Sequence, residues 1–186
     1  MILVKPKPNI NINYNHTILE IEDAIPHEIC DICLNDGIQN SMQRGKSKNE
    51  HLCKAQFDST LILDMNHIIY EFLNIFWENY VKKTNVLIDF IEPYEVKKYK
   101  LGDFFEPHRD NYFVLDSKLD RKLNLIVQLS NDSDYDGGNL VLGTKTVSRN
   151  KGCLVIFPAM YIHQVETITR GERVSLIGHA WGPNWI

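Results

Sequence analysis

Apolar and polar residues alternate with a period of two through the second half of the chain, and this pattern constrains the fold most. Such alternation predicts half-buried strands, because successive side chains of a strand point to opposite faces. The runs follow Asn85, are separated by clusters of Gly, Asp, Asn and Pro, and cover 86–91, 94–101, 122–130, 139–142, 153–157 and 173–180. We interpret them as an antiparallel sheet structure, two sheets folded as a barrel or jelly roll.

The first half of the chain carries two helical signals. Residues 24–39 predict one helix, and residues from about 66 to 83 predict a clearer one, with apolar residues every three or four positions. An extended arm is expected at 1–16, a short strand at 17–22 and a mobile loop at 41–50. Helices first and strands afterwards predict the α+β class, with N-terminal helices packed on one sheet.

Length and charge limit the classes of protein that this chain can be. Its 186 residues can bury one core, so we expect a single domain over 1–186, with helical support over about 17–85 and a jelly-roll core over about 86–183. A formal net charge of -4 offers no basic surface to nucleic acid. The apolar run at the N-terminus is too short for a signal peptide or membrane span, so we expect a cytoplasmic location without membrane contact. Nothing in the sequence indicates an oligomeric state.

Cys30 and Cys33 have the spacing of half a redox or zinc site. They fall within a predicted helix, however, and no second Cys pair completes a set of four zinc ligands. We therefore interpret both residues as buried thiols of the helix.

Two of the predicted strands carry polar side chains on one face and only apolar or small ones on the other. By alternation, the mixed faces consist of Asn124, Ile126 and Gln128 in one run and of Arg173, Ser175, Ile177 and His179 in the other. If the helices cover the apolar faces, these mixed faces line the inside of the barrel. An interior of this composition predicts a ligand cavity and not a packed core.

A His-x-Asp pair lies in a segment predicted to be extended, so that His108 and Asp110 leave the same face. A second imidazole, His163, follows a buried run that ends at proline. Two imidazoles and one carboxylate are the protein ligands of a mononuclear ferrous oxygenase, which keeps three metal positions open. The pair alone is a weak signal, because its spacing often arises by chance and a solvated pair is the default interpretation.

Arg173 begins the last predicted strand and faces the interior. A guanidinium inside a barrel requires an acid partner, and no carboxylate of its own strand faces it. A bound diacid, held in a bidentate pair, is one possible partner. The alternative is a structural salt bridge to Glu106, Glu166 or Glu172.

Three motifs occur in a fixed order along the second half of the chain. They are Tyr99-x-x-Gly102-x-x-Phe105-x-x-His108-x-Asp110, then Leu129-Ser followed by Tyr135-Asp-Gly-Gly-Asn-Leu140, then Gly152 with Phe157-Pro158, His163, Arg173 and Ser175. Together they resemble the 2-oxoglutarate and Fe(II)-dependent oxygenases, and among these the prolyl 4-hydroxylase-like, PKHD-type subgroup. The resemblance extends from about residue 90 to residue 183.

The resemblance implies a double-stranded β-helix (jelly roll) and a role for each matching residue. His108, Asp110 and His163 match the iron ligands, Arg173 and Tyr99 match contacts of the distal 2-oxoglutarate carboxylate, Ser175 completes the Arg-x-Ser pattern, and Asn124 and Gln128 match further cosubstrate positions. The implied reaction uses Fe(II), O2 and 2-oxoglutarate, with ascorbate as a stimulant. It hydroxylates an unactivated C–H bond and releases succinate and CO2. Halogenation is disfavoured, because related halogenases lack the carboxylate that Asp110 supplies.

The resemblance suggests a prolyl or other residue of a peptide or protein as substrate, and a free amino acid or small molecule is the alternative. A non-catalytic jelly-roll binding module is a competing class, although the intact ligand set argues against it. Substrate choice is expected to reside in loops such as 41–50 and 111–120. His179 stands where many relatives have tryptophan, and we favour a satisfied core histidine over a polar cavity contact or a partner of the metal ligands. Arg109 is expected to face away from the metal.

Overall fold

The computed structural model describes residues 18–39, 42–46, 54–111 and 118–184. The predicted arm at 1–16 lies outside these residues, as do parts of the predicted loops 41–50 and 111–120. Every element and contact reported below belongs to the described part of the chain.

Two helices confirm the helical predictions for the first half. α1 spans His27–Gln39 and α2 spans Ile68–Thr84. At the start of α2, the side chain of His67 accepts a hydrogen bond from the backbone N–H of Ile69 at 3.1 Å, which satisfies one of the free donors there. Asn85 ends the helix in the left-handed conformation, with φ of 54°. Neither of these helices is long and apolar enough to span a bilayer.

The thiols of α1 match the interpretation from the sequence. Cys30 and Cys33 are both free and buried. Burial raises the pKa of each thiol to about 12, so both stay protonated at neutral pH. They therefore act as small apolar side chains of the core.

Strands make up most of the described chain. They are β1 Leu19–Ile21, β2 Gln43–Lys46, β3 Ala55–Ile62, β4 Phe90–Ile91, β5 Tyr94–Tyr99, β6 Phe104–His108, β7 Leu119–Gln128, β8 Tyr135–Gly137, β9 Leu140–Leu142, β10 Lys145–Thr146, β11 Leu154–Pro158, β12 His163–Val165, β13 Ile168–Gly171 and β14 Arg173–Pro183. The main sheet has the order β1-β11-β7-β14-β5-β3-β6-β12-β9-β10, with β2 paired to β3 and β4 to β14. β8 and β13 form a separate pair. All pairings are antiparallel, as the jelly-roll prediction requires.

Three predicted boundaries were wrong. Residues 43–46 of the predicted loop 41–50 form β2, and β3 follows it before α2, so the helical half also supplies strands to the sheet. β2 is polar because it lies at the edge of the sheet, where charged side chains are common and the alternation is lost. The strand predicted at 86–91 is confined to β4, and the predicted loop 111–120 ends earlier because β7 begins at Leu119.

The two faces of the main sheet bury different clusters. On the outer face, the helices cover Leu123, Leu125, Leu176 and Ala180 within one large apolar cluster. Trp77 of α2 joins this cluster. The inner cluster includes Tyr99, Ile126, Phe157, Val165 and Ile177. The assignment of faces from alternation is thus confirmed for β7 and β14, and the mixed faces point inward.

Candidate active site

Strand register brings the predicted site residues together in opposing pairs. The pairs are His108 with His163, Asn124 with His179, Gln128 with Ser175, and Tyr99 with Arg173. Directly opposite residues of antiparallel strands have Cβ atoms about 5 Å apart, so each pair shares one small part of the interior. The barrel contains a partly open cavity, lined among others by His108, Asp110, Asn124, His163, Arg173 and His179.

His108, Asp110 and His163 form a cluster with the donor set of a mononuclear metal site. Their ligand atoms all lie within 4.8 Å of one another. The Nε2 atom of His108 is 3.7 Å from Oδ1 of Asp110, and Nε2 of His163 is 3.2 Å from Oδ2. Ligand atoms about 2.1 Å from one ion and at right angles to each other lie about 3 Å apart. The three side chains therefore fit one face of an octahedral ion.

Backbone carbonyls select the tautomers of both imidazoles. Nδ1 of His108 lies 2.8 Å from the carbonyl oxygen of Glu106, and Nδ1 of His163 lies 3.0 Å from that of Tyr161. A carbonyl oxygen only accepts, so each Nδ1 carries the proton and each Nε2 is left as a ligand atom. Burial, followed by the neighbouring His163, lowers the pKa of His108 to about 4, which keeps that ring neutral at physiological pH.

Asp110 lies just beyond the end of β6, in a bend and not in the extended segment expected. Its backbone N–H donates to the carbonyl oxygen of Ala159 at 2.9 Å, and its Oδ2 accepts from Nδ2 of Asn124 at 2.7 Å. Burial raises the pKa of Asp110, but in the metal-free protein a doubly protonated His163 would donate from Nε2 to Asp110, and its hydrogen bond and charge hold that pKa well below its usual value. The residue is therefore available as a carboxylate.

Arg173 lies deep in the interior and is 1% exposed. Its Nη2 donates to Oε1 of Gln128 at 3.0 Å, whereas Nε and Nη1 have no hydrogen-bond partner in the described structure. The proposed salt-bridge partners are engaged elsewhere: Glu106 accepts from the backbone N–H of Lys54, Glu166 from Asn139, and Glu172 pairs with Lys98. Among the described residues, the structural salt bridge is therefore not formed.

Tyr99 and Ser175 are the two hydroxyl-bearing residues nearest to Arg173 in the pairing of β5 with β14 and along β14. Tyr99 is opposite Arg173 across the β5–β14 pairing, with its ring 5.5 Å from the guanidinium carbon. Ser175 is fully buried, and its Oγ has no hydrogen-bond partner among the described residues. Donors that are buried without acceptors cost free energy, and an anionic ligand with several oxygens would satisfy them.

Lys97 is a cavity residue that the sequence interpretation missed. Its ammonium lies 3.4 Å from a carboxylate oxygen of Glu95 and 4.7 Å from the centre of the Phe57 ring. Burial lowers the pKa of Lys97, but the charge of Glu95 outweighs it and the pKa is raised. The signal was present, because Lys97 shares a strand face with Tyr99, two positions away.

His179 also lines the cavity, and its Nδ1 lies 2.9 Å from Oδ1 of Asn124. His179 is therefore buried and hydrogen-bonded, as favoured from the sequence, and it also lines the cavity, joined to Asp110 through Asn124. Asn124 and Gln128 hydrogen-bond Asp110 and Arg173, and their expected contact with the cosubstrate stays a prediction.

A curled antiparallel barrel with two imidazoles and a carboxylate beside a buried cation defines the class of mononuclear non-haem metal sites. Comparison with known families agrees: residues 94–181 match the model of the 2OG-Fe(II) oxygenase superfamily. Over these residues, which are slightly less than half of the chain, the protein is similar to that superfamily.

The chain is also similar to curated PKHD-type hydroxylases and to solved structures of prolyl hydroxylases. A PKHD-type hydroxylase of Idiomarina loihiensis is 28% identical over 87 residues, which cover 45% of this chain and 39% of that protein. The matched segment thus spans about two fifths of the relative's length. A collagen prolyl hydroxylase of Paramecium Bursaria Chlorella virus-1 shares the fold with a TM-score of 0.72 at 16% identity, covering 89% of this chain and 96% of the other. A Trichoplax adhaerens prolyl hydroxylase, in complex with a hypoxia inducible factor peptide fragment, has a TM-score of 0.68 at 15% identity, covering 88% and 83%.

Proposed function

We propose that this protein is an Fe(II)- and 2-oxoglutarate-dependent dioxygenase that hydroxylates a C–H bond, with a prolyl residue of a peptide or protein as the substrate. One observation carries the proposal. A metal-ligand cluster and a buried guanidinium with two unpartnered nitrogens line the same cavity. Each is a common feature by itself, but a metal-chelating diacid is the ligand that needs both.

His108, Asp110 and His163 are the proposed iron ligands. They fit the ion because both imidazoles present Nε2 and the carboxylate is ionised. Three protein ligands leave three octahedral positions for cosubstrate and oxygen. When bound, iron and 2-oxoglutarate supply the oxidising chemistry, in which 2-oxoglutarate is converted to succinate and CO2 as one oxygen atom enters the substrate.

Arg173, Tyr99 and Ser175 are the proposed anchors of the distal carboxylate of 2-oxoglutarate. The guanidinium keeps free N–H groups on Nε and Nη1, and hydrogen bonds from a guanidinium to a carboxylate are charge-assisted. Gln128 holds the third nitrogen and so limits rotation of the guanidinium about its terminal bonds. The anchor is thus oriented before any ligand arrives, which lowers the entropy cost of binding.

A peptidyl proline is the proposed substrate because the fold is shared with enzymes described as prolyl hydroxylases, one of them with a bound peptide. Lys97, Glu95, Asp110 and Arg173 contribute two positive and two negative charges to the cavity region. A divalent cation and a doubly negative cosubstrate add two more charges of each sign, so the net charge of the region stays zero. A neutral residue such as proline then enters without introducing an uncompensated charge.

The first test is formation of succinate from 2-oxoglutarate in the presence of Fe(II) and ascorbate. The wild-type protein should turn over slowly without substrate, and His108→Ala should abolish this reaction because a ligand is lost. His27→Ala changes an exposed histidine of α1 and serves as the matched control, expected to retain the wild-type rate. No binding of either Fe(II) or 2-oxoglutarate to the wild-type protein would contradict the proposal.

The substrate requires a second experiment. Proline-containing peptide libraries are incubated with the loaded enzyme and examined by mass spectrometry for the gain of one oxygen atom. A gain on proline supports the prolyl assignment. A gain found only with free amino acids or other small molecules would retain the reaction and reject the peptide substrate.

A further inference from the structure

A chain of hydrogen bonds extends from Asp110 into the strand pair β7–β14. Nδ2 of Asn124 donates to Oδ2 of Asp110 at 2.7 Å, and Oδ1 of Asn124 lies 2.9 Å from Nδ1 of His179. Asn124 is 1% exposed and His179 is 7% exposed, so water competes little with these bonds. The two residues are direct partners in the β7–β14 register, which holds both side chains at one level.

The orientation of the Asn124 amide sets the direction of both hydrogen bonds. Its NH2 group faces Oδ2 of Asp110, so its carbonyl oxygen faces His179. That carbonyl oxygen only accepts, so Nδ1 of His179 carries the ring proton. Burial lowers the pKa of His179 to about 3, and the ring therefore holds a single proton at neutral pH. Its Nε2 is then unprotonated.

The proton on His179 in turn fixes the orientation of the Asn124 amide. If the amide of Asn124 rotated by half a turn, its oxygen would face the carboxylate and its NH2 group would face a protonated nitrogen. Both contacts would be repulsive, so the proton on His179 keeps Asn124 in its donating orientation. Asp110 needs this support because it lies in a bend after β6, where no strand pairing orients its side chain.

We propose that Asn124 and His179 are positioning residues for Asp110, in which the Nδ1 proton of His179 orients the Asn124 amide and the amide orients the carboxylate toward the metal. This inference rests on the proposed function, because it takes Asp110 as a metal ligand. Partners that orient a metal ligand typically change metal affinity by about 10- to 100-fold when they are removed. The pair therefore sets metal affinity without contacting the metal.

Three variants separate positioning from simple packing. Asn124→Leu keeps the volume and removes the amide, and His179→Phe keeps a ring and removes the donor. His179→Asn restores the donor, since an amide nitrogen can replace Nδ1, but does not reproduce Nε2. His27→Asn on α1 is the matched control. Mn(II), which is redox-stable, is the probe, and its dissociation constant is measured by calorimetry and by electron paramagnetic resonance.

Asn124→Leu should weaken Mn(II) binding by about 10- to 100-fold, and His179→Phe by about tenfold. His179→Asn should return to within about twofold of the wild-type affinity, as expected of a hydrogen-bond role. Long-range ¹H–¹⁵N spectra of the Zn(II)-loaded wild-type protein should place the His179 proton on Nδ1. This spectrum needs no variant, so the test survives a variant that fails to fold.

The outcomes distinguish this inference from the proposed function. If the wild-type protein binds Mn(II) but Asn124→Leu binds it equally well, or if Nε2 of His179 carries the proton, the positioning role is wrong and the proposed function stands. If His179→Phe and His179→Asn are equally impaired, the ring acts by packing and the inference fails. Failure of the wild-type protein to bind any divalent ion overturns the proposed function itself.

Discussion

Replacing Arg173 by Met should have opposite effects on stability and on ligand binding. The guanidinium is buried, two of its nitrogens lack partners among the described residues, and the third bonds Gln128. In a purely structural arginine, removal would break satisfied bonds and destabilise the fold. In a ligand anchor, removal instead relieves buried donors that the ligand-free protein leaves unsatisfied.

The size of each effect follows from the contacts. Unsatisfied buried donors cost about 1–3 kcal/mol, and losing the Gln128 bond costs about 1 kcal/mol, so ligand-free Arg173→Met should be as stable as wild type or up to about 2 kcal/mol more stable. Two charge-assisted bonds to a carboxylate contribute about 1.5–3 kcal/mol each. Their loss should weaken 2-oxoglutarate binding by roughly 10²- to 10⁴-fold.

Denaturant unfolding of the ligand-free protein measures the first effect. Calorimetry with Mn(II) and 2-oxoglutarate measures the second. The matched control is Arg170→Met, which removes an exposed arginine paired with Asp136 and should leave both quantities at their wild-type values. A destabilised Arg173→Met that still binds 2-oxoglutarate normally would refute the reasoning, since the guanidinium would then be structural.

Three further outcomes are expected. Gly178→Ala should lower the free energy of unfolding by about 1–3 kcal/mol, because the new Cβ would lie 2.6 Å from the ring of Tyr94. That ring cannot move away easily, since Trp77 donates a hydrogen bond to its hydroxyl. An unchanged urea midpoint would contradict this expectation. Burial lowers the pKa of His179 to about 3, so the unfolded state binds the proton more tightly than the folded state does. The free energy of unfolding of the metal-free protein should therefore fall by about 2 kcal/mol between about pH 7.5 and pH 5 because of this residue. Urea titrations of His179→Phe at the two pH values should lack this contribution. Mn(II) at about 100 times its dissociation constant should raise the unfolding free energy by about 2.7 kcal/mol, and thermal melts should show no such shift in Asp110→Leu or after chelation.

Alternation was sufficient to predict which side chains of β7 and β14 point inward, because burial of one face imposes a period of two on the sequence. It was not sufficient to predict their partners. Asn124 and His179 meet only because of the register between β7 and β14, which shifts at Ala180 and Trp181. Cross-strand register depends on the packing of both faces, and neither strand encodes it alone.

The missed elements have a common physical cause. β2 is polar and lies at the sheet edge, and the middle of β3 is Asp58-Ser59-Thr60, so neither shows clear alternation. Lys97 was overlooked although it lies on a correctly predicted strand, because its long apolar stem allows a charged residue to occupy an inner face. Site residues that depart from simple patterning are the ones that sequence reasoning finds last.

The proton on Nδ1 of His179 also gives the cavity a direction. Arg173 and His179 lie six positions apart on β14, or about 20 Å along an extended strand. The guanidinium, Tyr99 and Ser175 place hydrogen-bond donors near the Arg173 end, whereas Nε2 of His179 carries no proton at the other end. A molecule that carries oxygen anions at its leading end and an N–H or O–H group behind them matches this order. The same molecule reversed would set donor against donor, so the interior itself distinguishes the two directions of entry.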